Sequence, residues 1–241
     1  MPTLPIWMAN TMEKVFNNQF HPVMVKEVNL LTSGLKLVRF KGDLSKTSFT
    51  PGKVIEFRVS DREFRHYTPS FFDKKQGVCE VLFYLHGLGI GSKWAEDLKV
   101  GDETKLMGPG GKMALEPAQD KHVLFGDESS LGLFVNVFHH SNTIGKCLGV
   151  LELDQKHQRW PDVLGLEVPV VKKSKEHPAT HAVDWLNTWT ADQWALCQHT
   201  TFYLTGRAKS IQSIRNTLKN KGIKSKQIQS MPYWADHKKG L

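Results

Sequence analysis

The hydrophobic period of this chain changes once, near Glu116–Asp120, and that change limits the folds open to it. Before it, short runs rich in β-branched and aromatic residues alternate with turn signals. The runs are Val23–Val25, Leu35–Phe40, Val54–Val59 and Val78–Leu85; Ser33-Gly34, Lys41-Gly42-Asp43, Pro51-Gly52 and Gln76-Gly77 separate them. Strands at this spacing, with little helix between them, predict an antiparallel β-barrel. Glu103–Met107 continues it until Gly108-Pro109-Gly110-Gly111 breaks the pattern. After the change, His122–Phe125, Cys147–Leu153, Val168–Val171 and Thr200–Thr205 read as strands. Ser130–His139, Ala182–Trp189 and Ala208–Asn220 read as helices, the last with Ile211, Ile214 and Leu218 on one face and Gly222 at its end. Strand–helix alternation predicts a parallel sheet with right-handed crossovers. The expected organisation is a two-domain α+β chain, a barrel over residues 1–118 and an α/β domain over 119–241. A short amphipathic helix, Asn10–Asn17, precedes the first strand.

Composition narrows the function. At 241 residues both domains can bury a core. No apolar run approaches the roughly 20 residues of a membrane span, and Met1–Met8 lacks the basic lead and cleavage site of a signal peptide. The 3 cysteines, Cys79, Cys147 and Cys197, lie far apart without CxxC spacing, which argues against a disulfide framework or zinc and favours the cytoplasm. His139-His140 and His177/His181 form no metal set. The net charge of +8 suits anionic small ligands. No nucleic-acid motif accompanies it, and the basic stretches Lys172–Lys175 and Lys219–Lys226 read as solvated faces.

Four stretches carry chemistry. In Arg65-His66-Tyr67-Thr68-Pro69-Ser70, an Arg guanidinium can hold a pyrophosphate with two parallel hydrogen bonds. Tyr67 shares its strand face and can stack on an isoalloxazine ring, while Thr68 offers a hydroxyl to a ring nitrogen. Pro69 is expected to stop the ladder. In His86-Gly87-Leu88-Gly89-Ile90-Gly91-Ser92-Lys93-Trp94, glycines allow close backbone approach. Ser92 is expected to cap a helix whose amides, with Lys93, suit phosphate. Gly126-Asp127-Glu128-Ser129 opens the first helix of the α/β half, where nucleotides usually bind, although its carboxylates cap well and repel phosphate. Thr205-Gly206-Arg207-Ala208 is another strand-to-helix turn beside the same crevice.

Together these motifs resemble the siderophore-interacting protein family, FAD-dependent ferric-siderophore reductases of the ferredoxin-reductase superfamily. Arg65-x-Tyr67-Thr68 matches that family's FAD motif, and His86-Gly87 with Trp94-Ala95 is similar to its second FAD segment. Gly101-Asp102 and Gly108-Pro109-x-Gly111 match the end of its barrel, Gly126-Asp127-Glu128-Ser129 its Gly-Asp-Glu-Thr, and Tyr233-Trp234 its Tyr-Trp-Arg ending. The resemblance implies a FAD-binding barrel followed by a Rossmann-like NAD(P)H domain. It implies that Arg65 binds a FAD phosphate, that His66 belongs to the cofactor site, and that Tyr67 and Thr68 sit at the reacting flavin ring. His86, Gly87, Gly91, Ser92, Lys93 and Trp94 would hold the rest of FAD. Asp127, Glu128, Ser129 and Gly206 would border the nicotinamide. Basic residues around the flavin edge, Arg62, Lys238 and Lys239, are the ones expected to meet an anionic ferric siderophore.

The chain departs from the family pattern at Ser70, Arg207 and Ala235. Those departures leave the donor open among NADPH, NADH and a ferredoxin, although Lys156 and Arg159 after Leu153-Asp154 hint at NADPH. They also leave open a reductase acting on a quinone, a free flavin or a protein, and a non-enzymatic flavin-binding module. A monomer in the cytoplasm is expected.

Overall fold

A computed structural model of the chain describes residues 5–15, 19–115, 121–140 and 147–238. The chain divides into two compact units, the first running to Ala114 and the second from Leu115 to Lys238. The expected junction at Glu116–Asp120, the end of the expected first helix at Phe16 and Asn17, and Lys239 lie outside the described residues.

The first unit comprises helix α1 (Ile6–Val15), strands β1 (Phe20–Thr32), β2 (Leu35–Gly42), β3 (Val54–Ser60), β4 (Glu63–Tyr67), β5 (Pro69–Asp73) and β6 (Val78–Tyr84), helix α2 (Ile90–Asp97) and strand β7 (Glu103–Gly110). The strands form one seven-stranded sheet in the order β4-β3-β7-β1-β2-β6-β5, and neighbours run antiparallel. Strands β4 and β5 stand at opposite ends of that order, yet Thr68 alone joins them. The two free edges must therefore meet at Thr68, and the sheet comes round on itself as the barrel pattern predicts. Alternation fills the interior: Val38, Phe40, Ile55, Phe57, Val81, Phe83 and Leu106 are buried in one cluster, with Ala95 of α2 among them.

Three expectations change here. Strand β1 runs far beyond Val23–Val25, because irregularities at Val25/Glu27 and Leu30/Thr32 shift its phase and hide the alternation from a period-2 reading. Strand β7 continues through Gly108 and Pro109 to Gly110. Pro69 opens β5, pairing with Val81, instead of ending the ladder; the first residue of a strand tolerates a missing N–H.

The second unit begins with β8 (Lys121–Gly126), a single 3-10 turn (Glu128–Ser130), α3 (Leu131–Val135) and a π turn (Asn136–His140). It continues with β9 (Cys147–Leu153), α4 (Trp160–Val163), β10 (Val170–Lys172), α5 (Thr180–Asn187), α6 (Ala191–Ala195), β11 (Thr200–Arg207), α7 (Ala208–Asn220) and β12 (Ile228–Trp234). Its five-stranded sheet has the order β10-β9-β8-β11-β12 and is parallel throughout. Strand order reverses between β8 and β11, which places a crevice at their carboxyl ends. Helix α7 spans the residues its periodicity indicates and buries Ile211, Ile214 and Leu218. The single helix expected over Ser130–His139 is split among 3-10, α and π turns. Its start is pressed onto the sheet: a Cβ at Gly126 would lie 2.5 Å from Ser130 Cβ and 2.8 Å from Phe134. Strand β12 has no sequence-based counterpart, because Pro232 interrupts its pattern; as an edge strand it accommodates that proline.

Candidate functional site

In the first unit the motif lies at the barrel seam. Glu63, Arg65 and Tyr67 alternate along β4 onto one face, with Arg65 opposite Phe57 and Tyr67 opposite Ile55. An arginine facing an apolar interior needs partners. Arg65 donates to Glu63 Oε1 at 2.7 Å and to the Phe64 carbonyl at 2.8 Å. A guanidinium has five donors, so these bonds orient one side of the fork and leave donors for a further ligand. Tyr67 packs edge-on to Phe83 at 4.8 Å and alongside Trp94 at 6.3 Å between centroids. Its hydroxyl approaches the Gly91 carbonyl at 3.4 Å, and burial pushes its pKa up. Thr68 and Ser70 are buried, whereas His66, exposed on the other face, pairs with Glu56 at 2.7 Å.

The second stretch meets the first directly. A Cβ on Gly91 would lie 2.9 Å from Tyr67 Oη and 3.1 Å from Arg65 Cγ, so the first turn of α2 rests on the motif only because residue 91 is glycine. Gly87 and Gly89 adopt positive φ (72° and 83°) and face open space. The cap of α2 is Gly89, not Ser92. Ser92 is buried and its hydroxyl accepts from Gly87 N–H at 3.2 Å, folding the loop back over the helix start. His86 and Lys93 are exposed, and Trp94 packs against the barrel core beside Phe57 and Phe83. The far end of α2 is held by Lys36, which sequence reasoning missed. It is buried and donates to the carbonyls of Glu96 at 2.7 Å and Leu98 at 2.9 Å. Burial lowers its pKa, against the pull of Asp97 and Glu96.

In the second unit the carboxylates at the carboxyl edge of the sheet are consumed internally. Asp127 is buried and caps the turn after β8. It accepts from Ser129 N–H at 2.9 Å, Arg207 N–H at 3.0 Å and Trp234 Nε1 at 2.7 Å. Burial raises its pKa, with Lys173 opposing. Gly206 is required there: its φ is 97°, and a Cβ would fall 2.6 Å from the Asp127 carboxyl carbon. Glu128, also buried, accepts from Asp154 N–H at 2.7 Å, lies 2.9 Å from His157 Nδ1 and pairs closely with Lys173 Nζ. Burial alone would raise its pKa, but Lys173 and the hydrogen bonds outweigh burial and lower it. Glu128, Asp154 and His157 have ligand atoms within 4.8 Å of one another. Glu128 is already committed to Lys173, so the group reads as an ion-pair network.

Arg207, one of the departures from the family pattern, is buried and clamps three segments. It bonds the carbonyls of Ser174 and Lys175 and pairs with Asp236 at 3.0 Å. Trp234 lies within cation–π range of both Lys173 (5.6 Å) and Arg207 (5.7 Å). Lys173 and Asp236 were not legible as partners, since their ion pairs join residues far apart in the chain. Of the residues expected at the nicotinamide, Ser129 is half-buried and Asp127, Glu128 and Gly206 are buried. Arg62 and Lys238 are exposed, in different units.

Two family models together span most of the chain. Residues 27–113 match the siderophore-interacting FAD-binding domain, and residues 119–237 match the siderophore-interacting protein. The chain belongs to the siderophore-interacting protein family. Among curated relatives of this family member, the ferric vibriobactin reductase ViuB of Vibrio cholerae is 25% identical over 175 residues, covering 70% of this chain and 64% of that protein. The match thus spans less than two thirds of that relative's length. Among solved structures, the siderophore-interacting protein SipS from Aeromonas hydrophila superposes with a TM-score of 0.74 at 18% identity, covering 92% of this chain and 93% of its own. The ferredoxin reductase in carbazole 1,9a-dioxygenase superposes with a TM-score of 0.71 at 19% identity, over 89% and 69%. At these identities the structures carry the fold.

Proposed function

We propose that this family member is a FAD-dependent reductase that passes electrons from NAD(P)H, or from a reduced ferredoxin, to Fe(III) held in a siderophore. The observation that carries the reading is the convergence of Arg65, Tyr67 and the first turn of α2 on Gly91. That arrangement fits FAD: an oriented guanidinium, a helix start whose first amides lack intrahelical partners, and open space over Gly87 and Gly89. Arg65 and the amides of α2 would bind the phosphates. Tyr67 and Thr68 would position the flavin ring, with His66, His86, Gly87, Ser92, Lys93 and Trp94 shaping the rest of the cradle.

When bound, FAD supplies acceptance of two electrons and their release singly to the iron. Reduction to Fe(II) weakens its hold in the hard-donor chelate, and iron is released. The second unit would take the donor nucleotide at the β8/β11 crevice, beside Ser129 and Gly206. Exposed Lys156 and Arg159 after β9 are suitably charged for a 2′-phosphate. Arg159 pairs with Asp162 at 2.7 Å, but both are solvent-exposed and such a pair is weak. Arg62, Lys238 and Lys239 would attract the anionic chelate. The relative's name, a ferric vibriobactin reductase, supports an oxidoreductase and favours this acceptor over a quinone.

The test is the visible spectrum of the purified protein under anaerobic conditions with NADH, NADPH or reduced ferredoxin in turn. A yellow protein bleached by one donor and recoloured by a ferric siderophore fits the proposal and names the donor. Recolouring by a quinone but by no ferric chelate contradicts the acceptor. A yellow protein bleached by no donor contradicts the enzyme reading.

A further inference from the structure

Ala208 to Gln227 contains Lys209, Arg215, Lys219, Lys221, Lys224 and Lys226 and no acidic residue. Lys209 is spoken for by Asp236 at 3.5 Å, and Arg215 reaches Ser230 Oγ at 3.4 Å. Lys219, Lys221, Lys224 and Lys226 are exposed and form no ion pair among the described residues. Their position follows from the topology. Helix α7 leaves the carboxyl end of β11 and returns to the amino end of β12, so its last turn and the turn after it lie at the amino edge of the parallel sheet. Lys121, which opens β8 opposite Thr200 of β11, is exposed at the same edge.

Tryptophans border these lysines. Trp189 and Trp194 have ring centroids 5.0 Å apart, and Trp185 lies 5.1 Å from Trp189. All are half-buried. Lys221 Nζ sits 5.7 Å from the Trp194 ring centroid, joining the aromatic group to the basic one. Neighbouring α6 contributes one acid, Asp192. Lys219 and Lys221 complement the negative end of the α7 dipole. Lys224 and Lys226 lie past the helix end, where that reason does not apply.

We infer that this edge, Lys219, Lys221, Lys224 and Lys226 with Trp189 and Trp194, docks on the anionic headgroups of a phospholipid bilayer. A cluster of lysines is the charge pattern such surfaces attract, each contributing about 1 kcal/mol near the surface. Lysine ammoniums act as point charges, without the planar fork that selects one phosphate geometry. Trp189 and Trp194 pack on the core of the unit, with Trp194 Nε1 buried, and offer a bilayer only the solvent-facing part of their rings, beside the lysines that carry the contact. No described helix is long and apolar enough to cross a membrane, so the contact is with its surface. Asp127, Arg207 and Gly206 lie at the opposite, carboxyl edge of the same sheet, and docking leaves that edge uncovered.

The experiment is co-sedimentation of the full chain with vesicles of phosphatidylcholine alone or mixed with phosphatidylglycerol. Binding to the mixed vesicles only, and its loss in high salt, is expected. Replacing the four lysines by glutamine (K219Q/K221Q/K224Q/K226Q) should weaken binding by about a hundredfold or more, while the chain stays folded with a melting temperature lowered by only about a few degrees. A control variant lacking Lys26, Lys41, Lys74 and Lys75 should bind as before. Wild-type protein that ignores phosphatidylglycerol overturns the inference. So does a quadruple variant that still binds, or a control that loses binding equally, which would assign the effect to net charge. Brominated lipids should quench tryptophan fluorescence in the wild type; unquenched bound protein would contradict the orientation.

Discussion

Each unit sets charged side chains against the start of a helix, and the two use them in opposite ways. In the first unit the charge is Arg65, anchored by Glu63 and one carbonyl, with donors left over and open space above Gly87 and Gly89. In the second, Asp127 and Glu128 are buried and met by donors from Ser129, Arg207, Trp234, Asp154 and Lys173. Free donors suit an anion; a saturated carboxylate holds neighbouring segments together. Position alone does not separate the two. What separates them is how many partners the surrounding chain already provides.

The largest contrast is expected between two ion pairs. In Glu128–Lys173 the side chains are 1% and 9% exposed, against 18% and 20% for Glu63–Arg65. Glu128→Gln removes the contacting partner of a buried ammonium, for which Asp127 and Asp154 compensate only in part, and should cost about 3 kcal/mol in urea unfolding. Glu63→Gln should cost about 1 kcal/mol or less. Similar losses would erase the distinction. Next come the glycines. Gly206→Ala combines a left-handed backbone with contact against the Asp127 carboxyl and should cost on the order of 3 kcal/mol. Gly91→Ala brings a Cβ to 2.9 Å from Tyr67 Oη and 3.1 Å from Arg65 Cγ, so it should push the first turn of α2 off the motif and weaken FAD binding, at a smaller stability cost than Gly206→Ala, whose backbone is also left-handed.

The third comparison depends on pH. Trp234→Phe removes one donor from Asp127 and should cost about 1.5–3 kcal/mol at neutral pH. The pKa of Asp127 is raised in the folded protein, chiefly by burial, so its contribution is present at low pH and lost as pH rises through the folded value. Losing the Trp234 hydrogen bond raises that pKa further. The gap between variant and wild type should therefore shrink as pH falls into the carboxylate range. A gap that stays constant would mean that Trp234 acts through packing alone.

Periodicity made much of the fold legible. Cys147–Leu153 and Ala208–Asn220 form their elements at the bounds the sequence suggests, because each is regular and uninterrupted. The irregularities of β1 and the proline in β12 broke the patterns on which such reading depends. At the site, Arg65 and Tyr67 were legible because two residues on one strand share a face. Their meeting with Gly91, 24 positions beyond Tyr67, comes from the packing of α2 on β4. Lys36, Lys173 and Asp236 were invisible: lysines and aspartates are ordinary surface residues until the fold buries or pairs them. Ser92 shows a subtler failure. A serine near a helix start reads as a cap, yet with Gly89 in the cap position its hydroxyl turns back to Gly87 instead.

The central claim is that Arg65 and the first turn of α2 hold FAD. Fluorescence titration of the flavin-stripped full chain with FAD, wild type beside Arg65→Ala, tests it most directly. Saturable binding by the wild type, weakened at least about tenfold in the variant as expected for a lost charged hydrogen bond, is the predicted result. Equal FAD affinity in the two proteins, or no binding by either, would contradict it.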